Sequence, residues 1–428
     1  MSKVWTRKEA IVLGAAGLAG CGRPLASAIT LPTTIRFSFW GMNQEANVWK
    51  EMAERFHARQ KHIRIKLEHI TGQSYHPKLF AMTVGHCAPD VMATDDEPYR
   101  FLSDNGAYED LTPYLSDAPS LRRDAFYTPV YDTYTVGSKQ YALPYIAHAI
   151  LLFYNRDHRR AAGLRPDPAP DWTWDDFNHD AIAQTRDLDG DGRTDQFGFN
   201  RHSWFYCLQW IWDCGGTDMD PGMTRYLFDT PQARRGFQFH YDHMHVHKVC
   251  PLVTDLPNMS TESMFLTGRV SMFLSGTWWM VQCRRSKTID WDVAHLPAGP
   301  TARTTRCTTE GLAISPQSKF KAQGWEWIKF VLSDEGQAVF ARHGRGAPSI
   351  RSVAKARFPD PRTPQHEERF LEALDGYARI AHLHARWTET EQVFNREWDR
   401  VAMKQSTIDD FIRIALPEAN AIVAGADP

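Results

Sequence analysis

Thr33–Gly41, TTIRFSFWG, is the stretch on which the fold turns. β-Branched and aromatic residues alternate with polar ones and stop at a glycine, which predicts a strand ending in a turn. Outward from it, Glu45–Gln60, EANVWKEMAERFHARQ, places Val48, Trp49, Met52 and Phe56 at helical spacing. IRIKLEHI (Ile63–Ile70) alternates as a second strand, and YHPKLFAMTVG after it reads as a second helix. PDVMATD (Pro89–Asp95) reads as a short buried strand ending in acids. The order β-α-β-α-β predicts an α/β fold with a mainly parallel sheet, right-handed crossovers and helices on both faces. Ligands of such sheets bind beyond the carboxyl ends of the strands. Trp40 follows the first strand and Asp95 and Asp96 follow the third, so all three are expected to face one crevice.

A chain of 428 residues suggests two or three domains. The formal net charge of -2 supplies no positive field for nucleic acid. Fifteen tryptophans sit in a chain that is 12% aromatic. Most are expected to fill cores, and the rest suit a surface that stacks sugar rings. No window reaches the run of about 18 apolar residues a membrane span needs. The longest later run, ALPYIAHAILLFY (Ala142–Tyr154), reads as one or two buried strands.

The amino-terminal segment reads differently. Lys3, Arg7 and Lys8 precede an uncharged run, Ala10–Gly20, that is too short to span a bilayer and matches a secretion signal. Leu18-Ala19-Gly20-Cys21 resembles the lipobox of bacterial lipoproteins. That resemblance implies a signal peptide over 1–20, cleavage before Cys21 and a lipid on its sulfur, with an ordinary secretory signal as the alternative. Thr6-Arg7-Lys8 is only faintly similar to a twin-arginine signal. Residues 21–32, rich in Ala, Ser, Gly, Pro and Thr, suit a tether. Export would leave Cys87, Cys207, Cys214, Cys250, Cys283 and Cys307 in an oxidising compartment. Cys207 and Cys214 are the first pair to expect, and buried free thiols are the alternative.

A longer resemblance runs through the body of the chain. It is carried in order by APDVMATDDEPYRFLSDNGAYEDLTPYL, QYALPY, LLFYNRD, AAGL, WTWDDF, FDTPQARRGFQF, MFLTGRVSMFLSGTWW, WDVAHLPAGP, GLAISPQSK, WEWIKFVLSDEGQ and GRGAPS. From Thr33 to Ser352 the chain resembles the family 1 extracellular solute-binding proteins of bacterial ABC importers, the maltose-binding-like group. The resemblance implies a periplasmic-binding-protein-like fold of two α/β lobes with a hinge. Crossings are expected near Leu143–Tyr145, Trp291–Pro297 and Gly346–Pro348. The amino-terminal lobe would comprise 33–142 plus 293–346, and the carboxy-terminal lobe 143–292 plus 347–428. The implied role is not enzymatic. A monomer held by a lipid anchor at the outer face of the cell membrane, in the periplasm or on the cell surface, would capture a mono- or oligosaccharide and pass it to a permease. The alternatives are a secreted glycoside-active enzyme and a receptor for a glycerol phosphate or a metal ion. Gly-x-Ser-x-Gly, His-Glu-x-x-His and P-loop patterns are absent from the sequence.

Within this frame Trp278 and Trp279 follow an apolar strand, and the resemblance places such a tryptophan at the sugar site. Asp95 and Asp96 could accept hydrogen bonds from sugar hydroxyls or cap a helix. Trp40, Tyr145, Trp204 and Arg345 complete the expected ligand contacts, while Glu45 suits a helix first turn. Asp187, Asp189, Asp191 and Asp195 fall at calcium-loop positions 1, 3, 5 and 9 with Gly192 at 6, but position 12 is Gly198. No other cofactor is implied. His243 and His247, at i and i+4, have the spacing of a zinc pair, against the alternative of an ordinary helix face. Thr173 and Asp176 suggest a capping box, which makes Trp174 structural.

Overall fold

The opening stretch forms strand β1, Thr33–Trp40, in a computed structural model. The structure describes residues 32–425 except 42, 201–203, 253–254, 256–258 and 359–363. The signal segment, Cys21 and all of the tether but Pro32 lie outside the described residues. Ile35, Phe37 and Phe39 alternate onto one face of β1 and are buried. They meet α1 (Asn43–Arg59) through Trp49, Met52 and Phe56, with the Phe37 and Trp49 ring centroids 4.6 Å apart. Each such side chain contributes roughly 1.5–3 kcal/mol by leaving water. β2 (Ile63–Ile70), α2 (Tyr75–Val84), β3 (Val91–Asp95) and α3 (Asp96–Asp104) follow as the spacing predicts. β2 and β3 both run parallel to β1.

Beyond β3 the expectation of a mainly parallel sheet needs correction. After α4 (Thr128–Asp132) and a hairpin of β4 (Thr135–Val136) and β5 (Lys139–Gln140) come β6 (Leu143–Ala149) and β7 (Leu151–Asn155). The chain then continues through α5 (Arg156–Ala161), α6 (Trp174–Ala183), α7 (Cys207–Asp213) and α8 (Pro231–His245). β8 (Met272–Ser275), β9 (Trp291–Ala294), β10 (Thr305–Ile314), β11 (Ala347–Pro348) and β12 (Ala378–Arg379) complete the strands. The large sheet has the order β11-β6-β10-β3-β1-β2, with β12 also on β10. β10 enters it antiparallel to both β3 and β6, because it arrives from the other lobe and not through a helical crossover.

The second lobe is built on the antiparallel sheet β8-β7-β9. Trp172, Trp204, Trp210, Trp212, Trp291 and Trp398 are buried in its core, with helices Trp387–Ala402 and Ile408–Val423 packed against them. Most of the aromatic load is therefore core filling. The Thr173–Asp176 capping box is present, and the Trp174 ring stacks on Phe239 at 3.7 Å.

Strand pairing moves the hinge. β6 belongs to the first sheet and β7 to the second, so the first crossing is at Ile150, not Leu143–Tyr145. The Ile150 N–H donates to the Arg306 carbonyl at 3.0 Å, which sets the second crossing alongside at Thr305–Arg306. β9 and the loop after it stay with the second lobe, where the Thr304 N–H donates to Asp213 at 2.6 Å. The third crossing runs through helix Arg351–Arg357. Ile350 and Val353 enter the first core, and Ala354 and Phe358 the second.

The Cys207–Cys214 pairing is also corrected. Cys207 opens α7 and Cys214 caps its end, about 10 Å apart along a helix rising 1.5 Å per residue, beyond the roughly 7 Å a disulfide spans. Cys207 and Cys250 are buried; Cys214, Cys283 and Cys307 are buried free thiols, and Cys87 is an exposed one.

Candidate ligand-binding cleft

β1 and β3 end at the same edge of the large sheet, and a cavity of about 770 Å³ opens there. Its volume falls in the range of roughly 300–1,000 Å³ common to small-molecule sites. Trp40 forms one wall, its ring centroid 5.1 Å from those of Tyr75 and His76. Tyr75 is fixed from below, its hydroxyl donating to the Ala93 carbonyl at 2.8 Å. Gly41 turns the chain at φ +127°, and a β-carbon there would lie 2.7 Å from the Glu45 side chain. Only glycine lets Glu45 fold back over the end of β1.

Asp95 closes the other side. It caps α3, accepting the Asp96 N–H at 2.8 Å. Burial first, and then the neighbouring Asp96 charge, hold its carboxyl well above the usual range. Glu97 lines the same cavity and is also raised, by burial. Opposite it burial, and next the charge of Glu97, push Glu391 of the second lobe up to about 7.

Beneath the cavity lies an ion-pair network. Arg345 holds Glu310 in a two-pronged pair at 2.8 and 2.7 Å and reaches Glu45 at 3.3 Å. The Tyr145 hydroxyl also donates to Glu310, and the His148 ring lies 3.7 Å away. Burial would raise the Glu310 carboxyl, but Arg345 and His148 outweigh it and hold it at about 2. Burial lowers His148. His148 hydrogen-bonds Thr277 of the second lobe, and its ring stands edge-on to Trp278 at 5.1 Å. A smaller hollow of about 200 Å³ continues past Glu45 and Arg345 to Trp278 and Arg285. The Trp278 ring folds back over Gly276, where a β-carbon would come within 2.0 Å of it. Arg306 is a second tie between lobes. It pairs with Asp96 at 3.2 Å and Glu97 at 3.0 Å and lies 3.8 Å over the Phe205 ring.

Residues 42–338 match the model of a family described as bacterial extracellular solute-binding proteins. The chain belongs to this family. A binding protein of Brucella abortus is 24% identical over 337 residues, covering 76% of this chain and 78% of its own. Among solved structures, the fold is similar to an ABC substrate-binding protein of Listeria monocytogenes in complex with cycloalternan. That pair shares 20% identity at a TM-score of 0.83, with 92% of this chain and 100% of the other covered. The sugar-binding protein MalE of Xanthomonas citri gives 21% identity and a TM-score of 0.80, with 92% and 98% covered.

In this solute-binding chain the predicted residues separate into groups. Trp40, Asp95 and Arg345 meet at the larger cavity, and Trp278 lines the smaller one with Arg345. Four others do not line either hollow. Trp204 is fully buried among Phe205, Phe228, Trp387 and Phe394. Tyr145 is buried between Trp49 and Phe340 and braces Glu310 from behind. Asp96 is buried against Arg306. Trp279 packs on the second lobe's core. The zinc pairing falls too: His243 is buried among Phe177, Phe199 and Phe239, hydrogen-bonded to Asn178 at 2.9 Å, and burial drives it down to about 3. Sequence reasoning missed Glu310, His148, Arg306 and Glu97 and read Glu45 as suited to a helix first turn. One signal was present. Arg306 and Glu310 lie on one face of a strand whose later residues are apolar, and buried charges there demand partners.

Proposed function

We propose that the protein is the receptor of an ABC importer and that its solute is a carbohydrate. The observation that carries this is an aromatic wall, Trp40, in one cavity with carboxylates at the strand ends of the first lobe, which continues past Glu45 and Arg345 to Trp278 of the second lobe. Flat apolar ring faces suit the tryptophan and hydroxyls suit the carboxylates. The complexes and names of the related proteins, cycloalternan-bound and sugar-binding, support the same class. Ligand binding would shift an open–closed equilibrium about Ile150 and Thr305, and the closed form would dock on a permease. The chain would act as a non-catalytic monomer, exported as its family is. Titrating the mature protein with mono- and oligosaccharides, following melting temperature and heat, tests this. Saturable stabilisation of about 2.7 kcal/mol at a hundredfold excess over Kd is expected. Release of a cleaved product would establish a glycoside-active enzyme instead.

The anchor is a separate proposal, supported by Leu18-Ala19-Gly20-Cys21. Cells fed a labelled fatty acid should label the wild type and not the Cys21→Ala variant. Equal labelling of both would overturn it.

A structural calcium ion is the third. Ligand oxygens of Asp187, Asp189 and Asp195 lie within 4.8 Å of one another, while Asp191 stands outside that group. With Gly198 where a bidentate glutamate belongs, affinity should be weak, about 10⁻⁴–10⁻³ M. Calcium in that range should raise the melting temperature, and Asp187→Asn should remove the rise. A calcium-independent melting temperature ends this reading.

A further inference from the structure

The larger cavity is unbalanced in charge. Glu45, Asp95 and Glu97 line it against one guanidinium, Arg345. That guanidinium is already committed, held by both oxygens of Glu310 and by one oxygen of Glu45. The second oxygen of Glu45 is closed off from water and has no hydrogen-bond partner among the described residues. Glu97 must share Arg306 with Asp96, and Arg306 is spread on the Phe205 ring. From the second lobe, helix Trp387–Ala402 packs on α3 and brings Glu391 within electrostatic reach of Glu97. Trp40, Tyr75 and His76 supply ring faces beside these acids. A neutral sugar would offer hydroxyl donors but no charge. A buried carboxylate without a cation is costly, and charge-assisted hydrogen bonds are about twice as strong as neutral ones.

We propose that the solute carries a cationic nitrogen: an amino sugar, or an oligosaccharide that contains one. Its ammonium would sit among Glu45, Asp95 and Glu97, with the ring on Trp40, where the electron-rich face also attracts a cation. This rests on the carbohydrate reading above and narrows it. Burial first, and then neighbouring acids, raise the Asp95, Glu97 and Glu391 carboxyls, while Arg306 pulls Glu97 and Glu391 back; a cation in the cavity would favour their charged forms.

Three matched disaccharides test it by calorimetry: that of glucosamine, its N-acetylated form, and cellobiose, which differ only in the substituent on the second carbon of each ring. The glucosamine disaccharide should bind at least about tenfold more tightly than the other two. Glu45→Gln, and separately Asp95→Asn, should bring the ratio of amine to hydroxyl affinity toward one. Two substitutions guard against one of them failing to fold, which circular dichroism checks. Equal or tighter binding of the neutral sugars, or binding of neutral oligosaccharides alone, overturns the amine and leaves the carbohydrate reading standing. Failure of every sugar to bind, charged or neutral, overturns both.

Discussion

Replacing Arg345 with leucine should cost about 3–5 kcal/mol of stability and abolish the response to ligand. The guanidinium is the main counter-charge of Glu310, whose side chain is 11% exposed, and it also steadies Glu45 at the cavity wall. Without it, Glu310 keeps the Tyr145 hydroxyl and a distant His148 ring, and burial takes over. The pH dependence should then change sign. In the wild type the carboxyl is held low, so its contribution is complete above the unfolded value of about 4.3 and is lost as pH falls from there toward the folded one. In the variant the carboxyl should rise above its unfolded value, and stability should fall as pH climbs through it. Urea midpoints at several pH values read both effects. An unchanged midpoint for Arg345→Leu would mean that the pair is dispensable.

Trp40→Ala should weaken ligand binding roughly tenfold to a hundredfold, about 1.5–3 kcal/mol. The ring is half-buried, packed on one side by Tyr75 and His76 and open to the cavity on the other. Calorimetry is the better readout, because the substitution also removes a fluorophore. Trp204→Phe serves as the contrast: that ring is fully enclosed in the second lobe and should affect stability before affinity. Equal affinity losses for the two would place the solute elsewhere.

The part of the fold written in local periodicity was legible. β1, α1, β2 and α2 each turn an apolar face to a core, and period two or period 3.6 reports it directly, while β3, buried on both faces, reads as a short apolar run. The antiparallel entry of β10 was not, because nothing near Thr305 in sequence records that its neighbours will be β3 and β6. The site divides in the same way. Trp40 and Asp95 were found because they end strands, and strand ends converge at one edge. Trp204 misled because a tryptophan looks alike in sequence whether its face is open or enclosed by Phe228 and Phe394. Glu310 was overlooked because its meaning depends on Arg345, on a different element.

The pairing of β3 with β10 sets a schedule for maturation. Asp95 lies opposite Glu310, so neighbours in the sheet are separated by roughly 200 residues of chain, which include the sheet of the second lobe. A polypeptide threaded through a membrane amino terminus first would expose β1, β2 and β3 long before the strand that completes their sheet. The loop to be closed is long, and its entropy must be met before any pairing rewards it. Nascent chains ending before Thr305 should therefore stay open to protease, and chains extending past Pro348 should become resistant. Late closure of the first lobe keeps the protein in a threadable state until most of it has crossed.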